Sequence, residues 1–426
     1  LHFSGIAQAV LLPFPEGRTR IAVDATSHKP PAGPVRAGVL LALLMAMTAI
    51  GPLSLNILVP ATPGLVATLN TDPGTVQLTV SLYLLGLAVS QLVLGPLSDR
   101  FGRRPVVLCG LLLTVVSSFA ALAAAGIGGL IVARTFQAFG ASTGIVIGRA
   151  IVRDLYDRER AASMIGWVAT VMVVAPMVAP LIGGLLDTAL GWEATFVFVG
   201  VFALLVLAWA WLGLPETRPD HVTGGGIAYL VGEARSLLGS AAFNAYVLAA
   251  TLGSATFFAF LGGSPHVVIG LMGESSASYG AWFITTAFGY LLGNLAAARL
   301  SPRLGIERMI RAGLALEVVG ALFAIMIVWL FPLGGPATIF PPQFFVSFGN
   351  GVLLPNAIAG AVSVRPQAAG TASGILGCAQ MAVGALAAQA LSWLVAASTT
   401  ALPMAVAILA IAVAAIVSYA WLMRPA

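Results

Sequence analysis

The chain has 426 residues, of which 59% are hydrophobic and only 8% are Asp, Glu, Lys or Arg. So little polar surface cannot clothe a water-soluble globule, which excludes a soluble enzyme or binding domain and places the chain in a lipid bilayer. A net charge of +5 would suggest nucleic acid in a soluble chain; here no nucleic-acid partner is expected, and the charge reports membrane orientation instead.

Residues 1–36 are Pro-rich, and their apolar run Ile6–Leu12 is too short to span. They read as a disordered tail and not as a cleaved signal, because no basic segment precedes that run. Twelve apolar runs follow, at 38–59, 75–97, 105–125, 128–150, 161–186, 192–213, 242–263, 277–300, 308–331, 336–360, 370–395 and 400–422. Each is near the ~20 residues that a 1.5 Å rise per residue needs to cross the hydrocarbon layer. They are continuously apolar, so they are helices rather than the alternating strands of a membrane barrel. Cys109 and Cys378 fall inside spans 3 and 11 and read as small packing residues; neither a disulfide nor a metal site is expected.

The basic residues fix the orientation. Of the twenty Lys and Arg, all but Arg134 fall in the N-terminal tail, in the even-numbered connections with their adjoining helix ends, or at the C-terminus. Both termini and every even-numbered connection are therefore expected in the cytoplasm. The longest internal connection, 214–241, splits the spans into six and six. Within it Ile227, Leu230, Val231, Ala234, Leu237 and Leu238 recur at helical spacing, which suits an interfacial helix; an unstructured linker is the alternative. The chain thus divides into a cytoplasmic tail (1–36), a first bundle (37–214), a cytoplasmic linker (215–241) and a second bundle (242–424). RFGRR at 100–104 and RLGIER at 303–308 echo one another. Two such halves suit a transporter with its substrate site midway across the bilayer.

Several residues are costly or oddly placed for lipid. In GPLSDRFGRRP (95–105) Gly95 allows close helix approach, Gly102 a tight reversal and Pro105 a helix start. Asp99 can pair with Arg100, Arg103 and Arg104, or the arginines with Asp154 and Asp157, as a latch; the bland reading is a basic anchor. Arg134 lies inside span 4, where a guanidinium faces a cavity or a partner, and Gln137 stands one turn on to brace it; snorkelling outward is the alternative. Gly140, Gly144 and Gly148 make a small-residue packing face. Pro176 and Pro180 interrupt the backbone bonding of span 5, and Gly183 with Gly184 allow tight packing at its end. Glu317 is the one acid well inside a span and can hold a proton or snorkel; Asp187 and Glu193 read as solvated loop charges. Tyr83, Gln91, Asn356 and Gln380 are either interhelical hydrogen-bonding groups or polar points in the wall of a substrate cavity. All four histidines, His2, His28, His221 and His266, are expected in tails or connections, so no intramembrane enzyme site forms.

GPLSDRFGRRPVVL resembles the loop signature of the major facilitator superfamily, G-x-L-x-D-R-x-G-R-R. VQLTVSLYLLGLAVSQLVL is similar to span 2 of its twelve-span drug:proton antiporters, above all the bicyclomycin and chloramphenicol resistance (Bcr/CflA) group. RTFQAFGASTGIVIGRAIVRD resembles the R-x-x-Q-x-x-G motif of span 4, VVAPMVAPLIGGLL the antiporter motif of span 5, and PNAIAGAVSVRPQAAGTASGILGCAQ the second-half pattern. The resemblance implies an all-α fold of twelve transmembrane helices in two pseudo-symmetric six-helix bundles. It implies an inner-membrane exporter of small lipophilic or amphipathic compounds, phenicol- or bicyclomycin-like, in exchange for protons; a monomer without a cofactor is expected. By the same resemblance Asp99, Arg100, Arg103 and Asp154 form a cytoplasmic latch that holds the halves together when the cavity faces outward, Arg134 faces the central cavity near proton coupling, and Pro176, Pro180, Gly183 and Gly184 form a hinge and seal. One departure is Asn56: the group often has an acid in that context, and asparagine cannot release a proton, so Glu317 becomes the candidate carrier. A carrier for one metabolite or sugar, and a non-transporting membrane receptor, are the alternatives. No G-x-x-x-x-G-K-[ST] loop is present, so ATP is not the motor.

Overall fold

The computed structural model describes residues 33–217, 227–332 and 334–424. Residues 1–32 of the expected tail, and with them His2 and His28, lie outside the described residues, as do His221 and Arg218 of the linker. The helices in chain order are α1 (Gly33–Ile57), α2 (Thr62–Thr68), α3 (Pro73–Phe101), α4 (Arg103–Leu122), α5 (Ile127–Leu155), α6 (Arg158–Leu190) and α7 (Glu193–Gly213). Then come α8 (Ile227–Leu238), α9 (Ala241–Pro265), α10 (Ser276–Leu304), α11 (Ile306–Leu330), α12 (Phe340–Ser363), α13 (Ala369–Ala396) and α14 (Leu402–Leu422). No strand occurs among the described residues. Hydrocarbon offers no partner for a bare N–H or C=O, so each apolar run closes its own ladder.

Twelve membrane-crossing segments result, at the positions the hydropathy predicts to within a turn or two. Two ends differ. α1 begins at Gly33, so the last turn of the expected tail is helical. α9 does not stop at Pro265 but runs on as a π turn, His266–Leu271, which corrects the expectation that His266 sits in a connection; it is half-buried at the end of a span.

The halves repeat one plan. Gly102 (φ 97°) and Gly305 (φ 84°) turn the chain between α3 and α4 and between α10 and α11, in the left-handed region that only glycine enters without strain. Asp72 caps α3 and Ser275 caps α10, each accepting from the backbone N–H three residues on. A Cβ on Gly140 would meet the Gly110 carbonyl and Thr114; a Cβ on Gly349 would meet the Gly313 carbonyl and Glu317. The α4–α5 and α11–α12 pairs are therefore packed backbone to backbone in the same way. α5 and α9 are the most enclosed spans, and α6, α10 and α14 the least.

Two packing expectations fail. Gly95 has open space where a Cβ would stand, so it admits no close neighbour in this conformation. Cys109 is exposed on the outer surface of α4, not packed. The linker helix α8 buries Leu237 in the second half's core, and Glu233 accepts a hydrogen bond from Thr371 at the start of α13 (2.7 Å). Val231 and Leu238, from the predicted apolar stripe, remain exposed.

These packings carry different loads. Gly140→Ala should destabilise the detergent-solubilised protein by about 1–3 kcal/mol, because the backbones cannot part without opening the core. Gly95→Ala should be silent. Thermal unfolding of both variants measures the contrast, and equal melting temperatures would contradict it.

Candidate transport site and gates

Arg103 is the hub of the opening charge cluster. Its guanidinium pairs with Asp99 Oδ1 at 2.5 Å through Nη1 and with Asp154 Oδ2 at 3.0 Å through Nε, and Nη1 also donates to Ser98 Oγ at 2.6 Å. The reversal at Gly102 puts Asp99, in the last turn of α3, beside Arg103 at the start of α4, and the last turn of α5 brings Asp154 across. The start of α4 adds an element the sequence did not reveal: the N–H groups of Arg103 and Arg104 donate to the two carboxylate oxygens of Glu216, at 2.9 and 3.1 Å. A helix N-terminus favours an anion there. Arg104 also donates to the Trp211 carbonyl (2.7 Å), and the Arg100 guanidinium lies 5.2 Å from the Phe101 ring centroid. Asp157, which the sequence offered as a further partner, instead caps α6 by accepting from Arg160 N–H (2.9 Å).

Arg134 is 1% exposed, so it does not snorkel. α1, α3, α5 and α7 enclose it. Nη1 donates to the Ser54 carbonyl at 2.9 Å and to Gln137 Oε1 at 2.5 Å, and the Thr79 carbonyl lies 3.4 Å from Nε. Its charge stands over the Tyr83 ring, 4.2 Å from the centroid, with Phe196 at 5.9 Å. Gln137 passes the chain of bonds on to Ser118 Oγ (2.7 Å), and Tyr83 donates to the Gly51 carbonyl (3.1 Å). No carboxylate pairs with Arg134 among the described residues, and Nη2 has no partner. Asn56 donates to the Pro52 carbonyl (2.8 Å) while its Oδ1 is also left without a partner.

The halves are joined at the end remote from Arg103. Ser276, at the start of α10, donates to the Pro60 carbonyl (3.0 Å) and to Asp187 Oδ2 (2.6 Å), and Ala277 N–H donates to Thr188 Oγ1 (3.1 Å). The mirror contact runs from Gln389 Nε2 to the Gly74 carbonyl (2.8 Å) and from Ser392 Oγ to the Pro73 carbonyl (3.3 Å). Gly184 lies against the Ser276 carbonyl and Gly183 against that of Ile57; the Pro180 carbonyl abuts Gly280. α6 remains one continuous helix through Pro176 and Pro180. Asp187 is thus a half-buried member of the closed end, correcting its reading as a solvated loop charge; Glu193 is exposed as expected. At the arginine-rich end the first turns of α13 stand clear: Gly370 and Gly374 have no neighbour where a Cβ would be.

The remaining polar residues separate. Tyr83 is sealed into the Arg134 nest, and Asn356 is buried with Nδ2 donating to the Val352 carbonyl (2.8 Å); neither lines an open wall. Gln380 bridges α13 to α9 through Ser254 Oγ (2.6 Å), and Gln91 touches Gly377 across the halves. Glu317 is fully buried in the second half and joins none of the groups around Arg134. Sequence spacing missed Glu216, Ser276, Gln389 and Ser392, because each meets a partner from a distant part of the chain.

The Arg103–Asp154 link is testable as a coupling. A double-mutant cycle of Arg103→Ala and Asp154→Ala should give an interaction of about 0.5–3 kcal/mol by thermal unfolding. Additive single effects would show that the two side chains do not act as a pair.

A sequence model of the Major Facilitator Superfamily matches residues 44–389. Over 341 residues the chain is 32% identical to Multidrug resistance protein D of Escherichia coli (strain K12), covering 79% of this chain and 84% of that protein. Over 338 residues it is 32% identical to the Chloramphenicol resistance protein of Pseudomonas aeruginosa, covering 79% of each. A POT family transporter crystallised with 5-aminolevulinic acid shares the fold, with a TM-score of 0.74 at 14% identity over 92% of this chain and 97% of that one. Paired six-helix bundles, a gate closed at one end and a family match along most of the length make this chain a member of the major facilitator superfamily, a multi-pass inner-membrane transporter and not an enzyme.

Proposed function

We propose that the chain exports small lipophilic or amphipathic compounds, phenicol- or bicyclomycin-like, in exchange for protons, by rocking its two halves about a central site. The bundles 37–214 and 242–424 are the moving bodies, and 215–241 tethers them. The observation that carries this reading is the uneven joining of the halves: hydrogen bonds and glycine contacts gather at the end away from Arg103. A protein joined at one end can open at the other. The names of the two relatives support drug-like cargo.

In this reading the arginine-rich end faces the cytoplasm, as do both termini, and the cleft opens inward in the conformation described. Asp99, Arg103 and Asp154, with Arg100 and Gly102 at the same reversal, hold α3, α4 and α5 in register as the first half moves, while Gly95, two turns earlier on α3, leaves its open space for the inward-closed state. Glu216 ties the linker to that unit. Arg134 supplies a fixed cation beside the cavity, held by neutral carbonyls and an aromatic face. Pro176, Pro180, Gly183 and Gly184 form the outer seal with Ser276. Gln91, against Gly377 of the other half, and Gln380, on α13 beside α9, are polar groups that cargo could meet, and the transporting unit is the monomer.

Expression in a pump-deficient bacterial host tests the reading. Chloramphenicol accumulation should fall when the chain is produced and recover on adding a protonophore, and Arg134→Ala should weaken export about ten-fold or more. Export that ignores the protonophore would reject proton coupling. Reporter fusions at both ends, read in the same cells, should place both in the cytoplasm; a split would reject the orientation.

A further inference from the structure

Glu317 is the costliest side chain in the second half. It is 0% exposed, and neither carboxyl oxygen has a hydrogen-bond partner among the described residues. Gly253 of α9 and Gly349 of α12 make its room: a Cβ on Gly253 would stand 3.2 Å from Oε1, and one on Gly349 3.0 Å from Cγ. Leu353 closes the same recess against Gly253 and Gly313.

Among the described residues no cation faces this group. The helices packed on α11 from that side, α9, α12 and α14, contain no Asp, Glu, Lys or Arg; their titratable side chains are Tyr246 and Tyr419, whose rings lie 6.3 Å apart, and His266 stands in the π turn beyond the far end of α9. α10 adds Tyr279, bonded to Ser264, and Tyr290, with Arg299 and Arg303 in its last turns. On α11 itself Glu307, Arg308 and Arg311 occupy the first turns, where Arg311 is 62% exposed and pairs with Glu307 at 3.6 Å. A carboxylate left without cation or donor in such a place costs more than packing returns, so the group carries a proton.

Packing does not require an acid there. Thr114 and Glu317 stand equally far after the turn glycines Gly102 and Gly305, and each lies against the paired glycine of the next helix. In the first half the Thr114 hydroxyl satisfies itself on the Gly110 carbonyl at 3.0 Å. The second half replaces that self-sufficient group by one with no internal partner.

We propose that Glu317 is the proton-binding site of this carrier, a carboxyl group in the glycine-walled recess between α9, α11 and α12 that takes a proton from one side of the membrane and releases it to the other. The step is the formation and breaking of one O–H bond, with water supplying and accepting the proton. α9 is only backbone-thick at Gly253, and the next residue, Ser254, accepts from Gln380 of α13 at 2.6 Å. A shift of α9 against α13 as the halves rock would open or close that thin wall. The proposal rests on the proton-driven reading above and supplies the titrating group that Asn56 does not.

The full-length protein in liposomes separates the two. At neutral pH, infrared spectra should contain the carbonyl stretch of a protonated, unbonded carboxylic acid that disappears in Glu317→Gln. Its absence from the wild type would overturn the assignment whether or not any compound is moved. With a pH gradient, Glu317→Gln should lose gradient-driven chloramphenicol accumulation by about ten-fold while chloramphenicol binding, read by tryptophan fluorescence, persists. Glu317→Asp should restore part of the driven flux, and Glu307→Gln should match the wild type. Undiminished driven accumulation by Glu317→Gln would overturn the site and leave proton-driven export standing; wild-type flux indifferent to the gradient would overturn both.

Discussion

A polar group inside hydrocarbon has no water to fall back on, and the structure depends on that constraint throughout. It turns each apolar run into a helix, and it forces serines and threonines back onto the carbonyls of their own helix, as at Ser90, Thr114 and Ser142. The same constraint marks the exceptions. Arg134 holds its charge among carbonyls, an amide and an aromatic face with one nitrogen unused, and Glu317 holds a carboxyl among glycines and a leucine. Such groups are retained in membrane proteins for what they do rather than for what they stabilise.

The two exceptions break the same internal symmetry in opposite directions. Gly140 and Gly349 are equivalent points of helix contact, and Arg134 and Gln343 stand equally far before them. The first half therefore has a cation where the second has a neutral amide, while the second has an acid where the first has a threonine. The two charges thus lie in different halves, and neither has the other as a partner. A carrier built this way can make the energy of each half depend on a different bound species, which is what coupling of two fluxes needs.

Much of this was legible in the sequence, because bilayer physics writes long words. Twelve spans, their order, the Gly102 reversal and the brace from Gln137 to Arg134 follow from hydropathy, turn chemistry and helical spacing. What escaped is tertiary. Glu216 reaches α4 from the far side of three spans, and nothing in Pro-Glu-Thr says that its carboxylate caps a helix so distant in sequence. Asp187 looked like a loop acid because its partner, Ser276, belongs to the other half. Gly95 misled in the opposite sense: a glycine in a motif suggests close packing, yet in this conformation nothing approaches it. Tyr83 and Asn356 were legible as polar, but polarity alone does not tell a cavity wall from a buried hydrogen bond.

The account stands on the halves moving as bodies about a fixed centre. Pulsed electron spin resonance measures this directly, with Cys109 and Cys378 replaced by serine and labels placed at Gly95 and Gly374 on the arginine-rich end and at Ala189 and Ala397 on the other. Changing pH and adding chloramphenicol should shorten the first distance as it lengthens the second. Distances that stay fixed, or that change in the same sense at both ends, would contradict it.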